Sequence, residues 1–154
     1  MFHTSPEKIY EGMINDNGIA GDCLFFSDKI YQMSDASIYV YEADFNCIEA
    51  CKLYDKEIVQ EIAEKFSVDE ETAENLLNAS CGAYDLYDDE FFYRRPDMAD
   101  SIADLAWWLQ GKRGECAKKL GYDGCEDIDE QGTVYIIPMK GREKELNLVE
   151  ILDY

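Results

Sequence analysis

The chain has 154 residues, enough for one domain around one substantial core. With 34 acidic and 14 basic residues its formal net charge is −20, a surface that repels DNA and RNA and attracts basic partners, so direct nucleic-acid binding is not expected. No apolar run approaches the roughly 20 residues a membrane span requires. The N-terminal stretch MFHTSPEKIY lacks the basic start and apolar core of a signal peptide, so the expected place of action is a cytoplasm.

The first forty residues read as short strands separated by loops. Met1–His3 is expected to be a strand, ended by Thr4-Ser5-Pro6, which could open a helical turn. Residues 12–22 are rich in Gly, Asn and Asp and read as a loop. Cys23-Leu24-Phe25-Phe26 is the short apolar run of a buried strand. From Ile38 to Asp44 the pattern alternates, with Ile38 and Val40 on one face and Tyr39 and Tyr41 on the other. Cys47 and Cys51 stand four apart, a spacing that suits one helical face. The six cysteines are expected to be reduced in a chain large enough to fold without staples. With no C-x-x-C pair and a single histidine, His3, no metal site is expected.

The middle of the chain reads as helical. Ile58, Ile62 and Phe66 recur every four residues among Glu57, Glu61, Glu64 and Lys65. Ser67-Val68-Asp69-Glu70 fits a capping box, with Ser67 as cap and Glu70 at the third position of a second helix. Ala73, Leu76 and Leu77 form that helix's apolar stripe. Asp85–Glu90 reads as an acidic turn. Pro96 opens a third helix with Met98, Ile102, Leu105 and Leu109 inward. Gly111 is a point of interruption, after which Cys116, Ala117 and Leu120 continue the spacing up to a stop at Gly121. Asp123-Gly124 is a turn signal. Val134–Ile137 is apolar on both parities, as in a strand buried on both faces. Lys140–Lys144 is a charged turn before a closing strand over 146–152. Strands, helices and strands again indicate a single α+β domain spanning residues 1–154. The absence of a coiled-coil pattern makes a monomer the default.

Three segments are hard to explain by packing alone. His3-Thr4-Ser5 collects short hydrogen-bonding groups at a strand end. Phe25-Phe26-Ser27-Asp28-Lys29-Ile30-Tyr31 carries Tyr31 on a polar stretch after a strand, where a ring can stack on a flat ligand. Asp127-Ile128-Asp129-Glu130-Gln131-Gly132-Thr133 precedes the second buried strand. A carboxylate at a strand entry can stabilise a developing cation, and Gly132 allows a ligand near the backbone. The competing reading of each is ordinary: a surface histidine, a tyrosine on the edge of the core, a solvated acidic turn.

The order of these segments, a histidine on the first strand, an aromatic after a later one, an acid near a late strand, resembles that of the ADP-ribosyltransferases. More closely, the chain is similar to anti-CRISPR ADP-ribosyltransferases directed at type I-F CRISPR systems. The resemblance is carried by Phe2-His3-Thr4-Ser5-Pro6, by Ala117-Lys118-Lys119-Leu120-Gly121-Tyr122 with Gly124, and by Asp129-Glu130-Gln131-Gly132-Thr133 with Tyr135-Ile136. Asp69–Glu74 adds weakly to it. It implies a split antiparallel β-sheet core with a helical middle segment. It also implies NAD⁺ as substrate and, as target, an asparagine of the large Cas8f subunit of the surveillance complex, near the site that reads the PAM, in a bacterial host cell. Carried over by position, His3 bonds a ribose with Thr4 and Ser5 assisting, and Tyr31 stacks on nicotinamide. The backbone of residues 18–21 borders the dinucleotide. Asp129, Glu130 or Gln131 lies by the nicotinamide ribose, with Asp129 favoured over Glu130 as the key acid. Two rivals are a non-catalytic acidic protein that mimics DNA and an ADP-ribosylating toxin with another target.

Overall fold

A computed structural model describes residues 1–30, 38–78, 102–129 and 132–152. Its strands are β1 (Phe2–Ser5), β2 (Cys23–Ser27), β3 (Ile38–Glu42), β4 (Cys47–Glu49), β5 (Gly124–Asp129), β6 (Gly132–Pro138) and β7 (Asn147–Leu152), and its helices α1 (Lys56–Phe66), α2 (Glu70–Leu77) and α3 (Ile102–Lys119). The strands form one mixed sheet in the order β4-β5-β6-β2-β1-β3-β7. All pairs are antiparallel except β4 with β5.

The sheet is divided in its middle. β2 is in register with β6 from Cys23↔Pro138 to Ser27↔Val134, and β1 with β3 from Phe2↔Glu42 to Ser5↔Tyr39. Between β1 and β2 the register holds the single pair Phe2↔Ser27. The half-sheet β4-β5-β6-β2 and the half-sheet β1-β3-β7 therefore meet at that pair and part beyond it. This is the split expected of the α+β core, although the parallel β4–β5 pair makes the sheet mixed.

Alternation sends β2 and β6 side chains into two cores. Phe25, Ile136 and Cys125 face the helices, where they meet Ile58, Ile62, Phe66, Leu76, Leu77 and Leu109. Phe26, Ile137 and Met139 pack on the opposite face with Ala43 and Phe45. Helix α1 forms because its apolar residues recur at the helical period. Ile58, Ile62 and Phe66 are fully buried, each contributing about 1.5–3 kcal/mol by leaving water. Asp55 caps it by accepting from the Ile58 amide at 3.0 Å.

Several local expectations are corrected. The strand β1 runs on through Thr4 and Ser5, and no helix follows Pro6. Ser67 does not cap α2. It closes α1 in the left-handed conformation (φ 52°, ψ 50°), while Asp69 caps α2 by accepting from the Thr72 amide at 2.8 Å. Gly111 does not interrupt α3, which is continuous for 18 residues. A Cβ at that position would lie 2.7 Å from the backbone of Ala20, so the glycine lets the residue 18–22 loop press onto the helix. Cys47 and Cys51 share no helical face, because Cys47 belongs to β4 and Cys51 to the short 3-10 turn over residues 50–52. Leu120 is half-exposed rather than core. The acidic segment read as lying before a strand is in part a strand itself, β5, with Asp129 its last residue, paired with Gly132. Leu105 and Leu109 are buried as expected, as are Cys116 and Ala117. Pro96, Met98 and the acidic turn over 85–90 lie outside the described residues. Among the described residues all five cysteines are free thiols, and no helix is long and apolar enough to cross a membrane.

Candidate active site

The register of the sheet brings the three sequence segments to one row. Phe2 pairs with Ser27, Ser27 with Val134, and Val134 with Asp127. The start of β1, the end of β2, the end of β5 and the start of β6 thus share one end of the sheet. His3 stands one residue from that row and Asp129 two residues beyond it. Three strand spacings separate β1 from β5, about 14 Å at the usual spacing.

His3 sits where the half-sheets part. Its Nδ1 lies 2.8 Å from the carbonyl oxygen of Phe25. A carbonyl only accepts, so Nδ1 carries the hydrogen and donates. Burial lowers the pKa of the ring below its ordinary value, against a smaller opposing effect of that hydrogen bond. A neutral ring protonated on Nδ1 keeps a lone pair on Nε2, so His3 presents an acceptor suited to a hydroxyl donor. The ring also packs against Phe26 at 5.4 Å between centroids, which fixes it on the face opposite the helices.

Thr4 pairs with Val40 inside β1. Ser5, at the end of the strand, is buried, and its hydroxyl is engaged locally. It donates to the carbonyl of Glu7 at 2.6 Å and accepts from the Glu7 amide at 3.2 Å. This turn ends the strand, and one lone pair is all the hydroxyl keeps for another partner. Tyr31, Glu130 and Gln131 lie outside the described residues.

Asp127 is removed from the list of free acids. Its Oδ2 pairs with Arg113 of α3 at 3.1 Å, and its Oδ1 accepts from the amide of Ile128 at 2.8 Å. Arg113 also donates to the carbonyls of Leu77 (3.1 Å) and Leu76 (2.8 Å), the last residues of α2. One guanidinium thereby ties α2, α3 and β5 together and holds the strand that ends in Asp129. No sequence pattern marks Arg113, because its three partners come from two distant segments.

A second feature passed unnoticed in the sequence. Tyr135, next to Val134 on β6, donates its hydroxyl to Asp28 Oδ1 at 2.9 Å, linking that strand to the residue after β2. Burial and the neighbouring Asp28 push the phenol up to about 12, so it stays protonated and remains a donor. The loop over residues 18–22 is not gathered with these groups. With Trp108, Lys112 and Lys118 of α3 it borders an open groove of about 440 Å³ reaching Pro138, six residues along β6 from Gly132, or about 20 Å.

The sequence defines the class to which this geometry belongs: the protein is an ADP-ribosyltransferase. Residues 1–143 match the family described as anti-CRISPR type I-F ADP-ribosyltransferase AcrIF11, and the chain belongs to that family. A solved structure described as the crystal structure of an anti-CRISPR protein shares the fold, with a TM-score of 0.50 and 22% identity over 98% of this chain and 93% of that one. No curated protein matches the sequence.

Proposed function

We propose that the protein takes ADP-ribose from NAD⁺ and transfers it to an asparagine of the large Cas8f subunit of a type I-F surveillance complex, close to where that subunit reads the PAM. The membership of the family supports the class of reaction. The observation that carries the site is the shared row Phe2–Ser27–Val134–Asp127, which collects at one end of a divided sheet the segments bearing His3 and Asp129.

In this reading His3, neutral and donating to Phe25, accepts from a ribose hydroxyl through Nε2, with Thr4 and Ser5 shaping the strand beside it. Tyr31 stacks on nicotinamide and Gln131 contacts the nicotinamide ribose. The bond between C1′ of that ribose and nicotinamide nitrogen breaks, and the electron pair leaves with nicotinamide. The ribose then carries positive charge, and Asp129, with Glu130 as the alternative acid, stabilises it most in the transition state. The amide nitrogen of the acceptor forms the new bond to C1′ and loses a proton. Such a nitrogen is a weak nucleophile, so holding it against C1′ matters as much as the charge. The bulky anionic product then obstructs DNA binding.

Intact-mass spectrometry of a type I-F surveillance complex, incubated with the protein with and without NAD⁺, tests this directly. The expected result is one added ADP-ribose on the large subunit, dependent on NAD⁺ and abolished in Asp129→Ala or His3→Ala with unchanged circular dichroism. Full transfer by both variants would overturn the site. The net charge of −20 favours one second reading, a DNA mimic that covers a basic surface. Such a mimic inhibits without NAD⁺, at stoichiometric ratio, and leaves the mass of the target unchanged.

A further inference from the structure

We infer that Asp28, held in place by Tyr135, is a ribose-binding carboxylate of the dinucleotide site, an inference that rests on the reading of NAD⁺ as substrate. The argument begins with the sheet. His3, Phe26 and Tyr135 each lie one residue from the row Phe2–Ser27–Val134, so alternation points all three to the face opposite the helices. Asp28 follows Ser27 directly and reaches the Tyr135 hydroxyl on that face. The imidazole and the carboxylate therefore flank Phe26, within about one strand spacing and two residues of each other.

Both present acceptors. Nε2 of His3 is the acceptor nitrogen of a neutral ring. Asp28 uses Oδ1 for Tyr135, and its Oδ2 makes no hydrogen bond among the described residues. An isolated exposed carboxylate samples several rotamers, whereas one tied across to the next strand keeps its second oxygen in one direction. Two fixed acceptors select a ligand that supplies donors, and the vicinal hydroxyls of a ribose do so. A phosphate offers only acceptors and would be repelled by Asp28. Tyr135 acts through Asp28 and is a positioning residue. It touches the ligand only by way of the carboxylate it aims.

The test is isothermal titration of the whole chain with NAD⁺ and with its 2′-deoxy analogues at either ribose. Asp28→Asn keeps the shape and removes the charge, and Tyr135→Phe removes only the aiming hydroxyl. Asp28→Asn is expected to weaken NAD⁺ binding about 10- to 100-fold, the range for a lost hydrogen bond to a charged group. Tyr135→Phe should weaken it less. The wild type should discriminate against one of the deoxy analogues, and Asp28→Asn should bind that analogue and NAD⁺ alike. A purely structural role for the pair would lower the melting temperature and leave that discrimination intact. If both variants bind NAD⁺ as the wild type does, or discriminate as it does, the assignment of Asp28 is overturned while the substrate reading stands. A wild type that binds no NAD⁺ overturns the substrate reading itself, and Asp28 with it.

Discussion

At the scale of single residues, His3 and the Arg113–Asp127 pair have states set by their surroundings. Burial lowers the pKa of His3, so between that lowered value and about 6.5 the unfolded chain binds a proton that the folded chain refuses. Stability contributed by neutral His3 is therefore complete above about pH 6.5 and is lost as the pH falls below it. Urea denaturation at pH 5 and pH 7.5 should show a larger loss on acidification for the wild type than for His3→Gln, and equal losses would contradict a buried neutral ring. Arg113 and Asp127 make the second case. Their side chains are 12% and 18% exposed, and removing the Arg113 side chain strands Asp127 together with the carbonyls of Leu76 and Leu77. Arg113→Met is expected to cost about 3 kcal/mol in urea denaturation. Adding Asp127→Leu should recover part of that loss, since the variant then leaves no unpaired carboxylate. A double variant no more stable than Arg113→Met would argue that the carbonyl contacts dominate.

At the scale of elements the periodic segments were legible and their ends were not. Ile58, Ile62 and Phe66 declared α1 by spacing, and Val134–Ile137 declared β6 by apolar residues on both parities. The boundary between α1 and α2 was misread because Ser67 and Asp69 are both good caps by type, and only the backbone decides between them. Asp69 accepts from Thr72, and Ser67 takes the left-handed conformation. That conformation costs a non-glycine residue roughly 1–2 kcal/mol. Ser67→Gly is accordingly expected to stabilise the protein, by up to about 1 kcal/mol after the added freedom of the unfolded chain is counted. A lowered melting temperature would show that the serine side chain contributes something the backbone argument omits. Strand β5 was missed for a different reason. Gly124-Cys125-Glu126-Asp127-Ile128-Asp129 is too acidic to read as a strand by composition. It becomes one because β6 pairs with it from Cys125 to Asp129 and Arg113 neutralises Asp127.

At the scale of the whole molecule the dominant property is the charge of −20. Such a field draws a basic surface from a distance and is screened over about 8–10 Å at ordinary ionic strength. Raising the salt from about 50 to 300 mM should therefore slow association with the surveillance complex by roughly 10-fold or more, measured by stopped-flow mixing, with a smaller change in dissociation. An association rate indifferent to salt would mean that the acidic surface does not guide the encounter.

The amino-acid sequence by itself determined the α+β class, the helical middle, the family and the candidate residues His3 and Asp129, because periodicity, charge and short motifs are local properties. Tertiary structure decided the rest. It alone brought β1, β2 and β6 into the row that gathers those segments, divided the sheet at Phe2 and Ser27, and occupied Asp127 with Arg113 and Asp28 Oδ1 with Tyr135. Those outcomes depend on strand register and on partners up to 107 positions apart, and pairing across such separations is set by the packing of the whole chain, which no local pattern encodes.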